Sequence, residues 1–124
     1  MGGTIKTFRD LRVWQIAQEL CVDIYKITAD FPKQEQFGLT SQIRRAAVSV
    51  PSNIAEGFGR RTIKEKEQFY HHSLGSLFEL DTQVELAMKV GIAQIENYEE
   101  ICKQIEYCKA MLIKLLQVNG GIIR

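Results

Sequence analysis

The stretch QIENYEEICKQIEYCKAMLIKLLQV, residues 94–118, carries the plainest pattern in the chain. Tyr98, Ile101, Ile105, Cys108, Leu112 and Leu115 recur at alternating intervals of three and four. That spacing predicts a helix with a narrow apolar seam of coiled-coil type. A seam so narrow needs partner helices to bury it, and three more amphipathic segments precede it.

The third segment runs from about residue 62 to 90. Thr62 followed by Glu65 reads as a capping box. Tyr70, Leu74, Leu77, Val84 and Met88 form its apolar stripe, widened by Phe69, Phe78 and Leu80. Gly75 and Ser76 are small enough to admit a neighbouring backbone, and Gly91 is the expected stop. The second segment, about 35–58, places Leu39, Ile43, Ala46, Ala47, Val50, Ile54 and Phe58 on one side. Pro51 lies within it, lacks an amide donor and crowds the carbonyl of Ala47. The apolar phase continues across the proline, which favours one helix kinked at Pro51 over two helices. Ser49, Ser52 and Asn53 are placed to hydrogen-bond nearby carbonyls, and Gly57 and Gly59 supply the stop.

The first segment, about 7–29, carries Val13, Ile16, Ala17, Leu20, Ile24 and Ile27, with Trp14, Cys21 and Tyr25 as a second line. Thr7 with Asp10 resembles a capping box at its start, and Phe31-Pro32 ends it. Its wide apolar face, with Trp14 and Tyr25, exceeds what a small bundle buries and predicts self-association. Asn119-Gly120-Gly121 closes the fourth helix, leaving Ile122-Ile123-Arg124 as a loose tail. No segment alternates like a strand, no repeat is present, and the connections are short. The sequence therefore predicts an all-α, antiparallel up-down-up-down four-helix bundle formed by one domain over residues 1–124.

Composition narrows the function classes. No apolar run reaches the roughly 18–20 residues of a membrane span. Met1-Gly2-Gly3-Thr4-Ile5-Lys6 lacks the regions of a signal peptide, and Lys6 breaks the myristoylation pattern. Cys21, Cys102 and Cys108 form no CxxC pair, so buried reduced thiols in a cytoplasmic protein are expected. Sixteen Lys and Arg oppose fifteen Asp and Glu, a net charge of +1, which argues against a uniformly basic coat for polyanions. The charges are nevertheless segregated. Residues 41–66 hold six cations (Arg44, Arg45, Arg60, Arg61, Lys64 and Lys66) against Glu56 and Glu65. Residues 67–100 hold Lys89 against seven acids.

Catalytic chemistry finds no foothold. A di-iron bundle site needs Glu-x-x-His, but Gln68 follows Glu65 at that spacing and Tyr70 follows Glu67. His71 and His72 are adjacent and point about 100° apart on a helix, so they share no ligand face. No glycine-rich phosphate loop or zinc-protease motif occurs, and no cysteine has a base beside it. Glu79, Asp81 and Glu85 read as a solvated or interface face. No cofactor is expected. The basic cluster Arg44, Arg45, Arg60, Arg61 and Lys64 remains, with Arg45 directed away from the core. Such groups suit phosphate contacts, or equally salt bridges to acids of a neighbouring subunit.

The residues Phe8-Arg9-Asp10-Leu11-Arg12-Val13-Trp14-Gln15 resemble the opening signature of 23S rRNA intervening sequence proteins. The stretch FGLTSQIRRAAVSVPSNIAEG, residues 37–57, is similar to the same family, as is Gly75-Ser76-Leu77-Phe78-Glu79-Leu80. The resemblance spans about Phe8 to Val118. It implies a bacterial homopentamer of four-helix bundles encoded within insertions in 23S ribosomal RNA genes or elsewhere. A related branch, the accessory variability protein of diversity-generating retroelements, partners a reverse transcriptase and binds nucleic acid. The resemblance assigns no catalytic residue. Together the residues and the resemblance lead us to expect a non-enzymatic homopentamer that binds structured RNA, or another nucleic acid, through Arg44, Arg45, Arg60, Arg61 and Lys64. The alternative is a protein-interaction scaffold, for example for a reverse transcriptase, with no nucleic-acid role.

Overall fold

The computed structural model describes residues 4–118 and is all-helical over them, with no strand among the described residues. Four helices, α1 (Arg12–Thr28), α2 (Leu39–Phe58), α3 (Ile63–Lys89) and α4 (Ile95–Gln117), account for most of the chain. α1 packs on α2 and α4, and α3 packs on the same two, so the helices enclose one core in cyclic order. No helix among the described residues is long and apolar enough to cross a membrane. The expected Asn119-Gly120-Gly121 stop and the tail to Arg124 lie outside the described residues, as do Met1, Gly2 and Gly3.

The capping box of Thr7 and Asp10 forms, but on a different element from the one expected. It closes a separate 3-10 turn, Phe8–Asp10. Arg9 N–H donates to Thr7 Oγ1 at 3.1 Å, while the N–H groups of Thr7 and Lys6 donate to Asp10 Oδ2 at 3.0 and 2.8 Å. Those donors hold the Asp10 carboxyl below the ordinary carboxylate range. Leu11 is extended, and α1 starts only at Arg12. The second helix also starts later than expected. Lys33–Glu35 makes its own 3-10 turn, and Glu35 Oε1 accepts from Leu39 N–H at 3.2 Å. The carboxylate thus sits at the positive end of α2 and is not part of its first turn.

α2 runs unbroken through Pro51, which is buried. Ser52 Oγ donates to the Val48 carbonyl at 2.8 Å and Asn53 Nδ2 to the Ser49 carbonyl at 2.9 Å. These are neighbours of the Ala47 carbonyl that the proline deprives of its usual donor. The α2–α3 seam is the closest in the bundle. Ser49 Oγ meets Ser76 Oγ at 2.8 Å, Ser73 Oγ donates to the Val50 carbonyl at 2.8 Å, and Lys66 Nζ donates to the Phe58 carbonyl at 2.7 Å. As α2 positions rise along this series, α3 positions fall, so the two helices run in opposite directions.

Gly57 belongs to this seam and does more than stop a helix. A Cβ built there would lie 2.6 Å from Tyr70 Cε1 and 3.1 Å from the Lys66 carbonyl. Only a missing side chain lets the Tyr70 ring lie there. Gly75 is the reverse case: it is exposed, and a Cβ on it would meet nothing within 4 Å. The close approach expected at Gly75 is absent among the described residues.

The core is built by Ile16, Leu20 and Ile24 of α1, Ile43, Val50 and Ile54 of α2, Tyr70, Leu77 and Leu80 of α3, and Ile101, Ile105 and Leu112 of α4. Trp14 is packed against this core and meets Phe8 edge-on at 5.1 Å, so it is not surplus apolar surface. Tyr25 is 43% exposed, and the other large exposed apolar residues include Phe78, Leu86 and Val90 of the α3 region and Ile113 of α4.

Candidate nucleic-acid interface

The five basic residues singled out by sequence fall into two groups at opposite ends of α2. Arg44 and Arg45 lie in its second turn, whereas Arg60, Arg61 and Lys64 surround the turn into α3. From Arg45 to Phe58 the helix covers about 20 Å, so one compact ligand does not touch both groups.

Within each group the side chains differ in what holds them. Arg44 is half-buried: its Nε donates to Thr28 Oγ1 at 2.8 Å, and its guanidinium lies 4.7 Å from the centre of the Tyr25 ring. Thr28 passes the contact on, donating to the Ile24 carbonyl at 2.8 Å. Arg44 therefore staples α2 to the C-terminal turn of α1, where a cation also favours the helix dipole. Arg60 pairs with Glu56 at 2.8 Å and stacks 4.6 Å from the Phe69 ring centre. Arg45, Arg61 and Lys64 are exposed and make no ion pair among the described residues. Lys66, counted in the same basic stretch, is half-buried, and burial pulls its ammonium below the usual lysine range. It serves the α2 terminus, not the solvent.

The signature of 23S rRNA-intervening sequence proteins matches residues 9–114. The chain belongs to that family. A crystal structure from Bacteroides thetaiotaomicron VPI-5482, of a protein with unknown function from the S23 ribosomal protein family, superposes with a TM-score of 0.76. It is 23% identical, and the match covers 85% of this chain and 98% of that one. This likeness concerns the fold. No curated protein matches the chain.

In this member of the 23S rRNA-intervening sequence family, aromatic residues accompany the first basic group. A cleft of about 490 Å³ is lined by Tyr25, Phe37, Thr40, Arg44, Arg45 and Val48. Phe37 is 91% exposed, an unusual situation for a phenyl ring. Thr40 is 7% exposed, and its Oγ1 has no hydrogen-bond partner among the described residues. The sequence pattern places Tyr25 on the self-association face of the first helix and Phe37 only within the family motif. A signal was present: Phe37 is out of phase with Leu39 and Ile43, so it cannot share the stripe that buries them.

A second cleft, of about 440 Å³, lies between α2 and α3 and includes Arg45, Ser49, Glu79 and Gln83. It sets Arg45 near an acid as well as near the aromatic residues. The acids of α3 are partly engaged within the fold. Lys109 donates to Asp81 Oδ2 at 2.8 Å and to Glu106 Oε2 at 3.0 Å, and it packs on the Phe78 ring. Burial lowers the Lys109 ammonium, but the two carboxylates outweigh it and leave its pKa raised.

The thiols only partly follow expectation. Cys108 is buried, whereas Cys21 and Cys102 are half-buried. Burial is the largest influence on all three and raises each, with Cys108 pushed up to about 12. That shift is opposite to the one that activates a cysteine nucleophile.

Proposed function

We propose that the protein is a non-enzymatic, homo-oligomeric module that binds structured RNA in the cytoplasm through the basic side chains on and beside α2. The observation that carries this reading is the state of Arg45, Arg61 and Lys64, which are exposed and unpaired with any carboxylate among the described residues. A cation that an acid of its own fold already neutralises has little to offer a phosphate. These three keep their charge available.

A pentamer, which the family resemblance implies, would repeat each basic group five times. A chain of net charge +1 can then present several local cationic sites to one polyanion and gain affinity by multivalency. Exposed Phe78, Leu86, Val90 and Ile113 supply apolar surface for such assembly. A protein-scaffold reading is favoured by one feature, the cleft of about 580 Å³ whose lining includes Pro32, Leu39, Leu86, Val90 and Ile92.

The test is binding of a fluorescent RNA hairpin measured by anisotropy over a salt series. Neutralising Arg45, Arg61 or Lys64 to glutamine should each reduce the log–log salt slope by roughly 0.7–0.9 for every subunit that contacts the RNA. Light scattering should give five times the 14.2 kDa chain mass. Absence of RNA binding at low salt rules the reading out, and a protein of 14.2 kDa at micromolar concentration rules out the assembly.

A further inference from the structure

The aromatic cleft at the α1–α2 corner is built from parts that a phosphate backbone alone does not require. We propose that it holds one unpaired RNA base, stacked on Phe37 and Tyr25, with the adjoining phosphate on Arg45. The proposal rests on the nucleic-acid reading above and narrows it to single-stranded nucleotides.

Three observations meet here. Phe37 is 91% exposed, so its ring contributes almost nothing to the bundle's own core and is available as a stacking platform. Tyr25 is 43% exposed and is steadied by Arg44, whose guanidinium lies 4.7 Å from its ring centre and is itself hydrogen-bonded to Thr28. The Tyr25 ring is thus fixed before a ligand arrives, which lowers the ordering cost of binding. Arg45 lines the same cleft and makes no ion pair among the described residues.

The combination selects its occupant. A cleft of about 490 Å³ falls within the roughly 300–1,000 Å³ of small-ligand sites. In a duplex the bases are stacked on each other and cannot reach the rings. Loops and bulges offer splayed bases, which proteins take by stacking on aromatic and arginine planes. An apolar protein segment would satisfy Phe37 and Val48 but leave the Arg45 charge desolvated and unpaired. A nucleotide brings the base and the anion together.

The experiment uses the full-length protein and two RNAs of equal length, a hairpin with 2-aminopurine in its loop and a blunt duplex. Phe37→Ala is the diagnostic variant, because a ring this exposed can be removed without touching the core; an unchanged thermal melt confirms that. It should weaken hairpin binding about 5- to 100-fold, leave the salt slope and duplex binding unchanged, and abolish the 2-aminopurine quenching seen with the parent. Arg45→Gln should instead lower the hairpin salt slope by about 0.7 for every subunit that contacts the hairpin.

If Phe37→Ala leaves hairpin affinity and quenching at parent values while the parent still binds both RNAs, the base pocket is wrong and the general reading survives. If the parent binds neither RNA, both fall together. If Phe37→Ala changes the light-scattering mass, a second copy of the chain fills the cleft, and the base-pocket proposal is overturned.

Discussion

Gly57 and Gly75 both lie inside helices, and the structure assigns them opposite responses to the same substitution. Replacing glycine by alanine within a helix ordinarily stabilises by about 0.8–1.0 kcal/mol. At Gly57 the added Cβ would stand 2.6 Å from Tyr70 Cε1, 2.9 Å from Cδ1 and 3.1 Å from the Lys66 carbonyl oxygen. Favourable carbon contacts lie near 3.5–4.0 Å, so the ring must retreat by roughly 1 Å. It has nowhere to go, being fully buried, and the third contact is backbone of α3. With backbone as one of the contacts, the upper part of the usual overpacking range applies, about 2–3 kcal/mol, which outweighs the propensity gain near the end of α2 by about 1–2 kcal/mol. At Gly75 the new methyl meets nothing within 4 Å, so the propensity gain stands alone. For a chain of this length 1 kcal/mol moves Tm by about 4 °C. Differential scanning calorimetry should therefore show Gly57→Ala melting about 4–8 °C below the parent and Gly75→Ala about 3–4 °C above it. A Gly57→Ala protein as stable as the parent, or a destabilised Gly75→Ala, would refute the reasoning.

Tyr70→Phe removes a fully buried hydroxyl that has no hydrogen-bond partner among the described residues, so it should stabilise at neutral pH by about 1–3 kcal/mol, measured by urea unfolding. Burial pushes the Tyr70 phenol up to about 12, above its ordinary 10.0, so the folded state keeps the proton longer than the unfolded one. Ionisation leaves stability untouched below pH 10 and favours the unfolded chain increasingly as pH rises towards 12; the parent should lose more stability than Tyr70→Phe across that window, and parallel pH profiles would contradict the assignment. Arg44→Ala should lower stability by about 1–2 kcal/mol, through the lost Thr28 hydrogen bond and Tyr25 stacking, while Arg61→Ala and Lys64→Ala stay within about 0.5 kcal/mol of the parent. Equal melting of all three variants would remove the structural role given to Arg44.

Helix identity was legible because it rests on periodicity, and the seam from Ile101 to Leu112 is buried as its spacing requires. The cap at Thr62 was legible too, with its side chain accepting from Glu65 N–H at 3.1 Å. What sequence misassigned was set by choices among local alternatives. Thr7 and Asp10 satisfy the same pattern whether an α-helix or a 3-10 turn follows. Glu35 fits a helix interior by composition, yet its carboxylate is more useful one turn later as an acceptor for Leu39. Gly57 reads as a terminator because glycine often ends helices. Its contact with Tyr70 is tertiary and has no local signature. The candidate site divides in the same way. Charge along the chain revealed Arg44, Arg45, Arg60, Arg61 and Lys64, but their partners, and the rings beside Arg44 and Arg45, depend on how α1 meets α2.

The segregation of charge along the sequence therefore overstates the cationic surface in a definable manner. Of six basic residues between 41 and 66, Arg44 holds α1, Arg60 is matched by Glu56, and Lys66 closes the end of α2. Arg45, Arg61 and Lys64 have no such duty among the described residues. A sum over sequence cannot separate these roles, because a guanidinium engaged by a threonine and one facing water count alike. The distinction matters for interpreting variants. Loss of RNA affinity on removing Arg44 would mix a weakened helix junction with a missing charge, and would also release the Tyr25 ring that Arg44 steadies. Loss on removing Arg45, which touches the same cleft from an exposed position, carries no such ambiguity. The two neighbouring arginines differ by one step of about 100° around the helix. That turn directs Arg44 against α1 and Arg45 towards solvent.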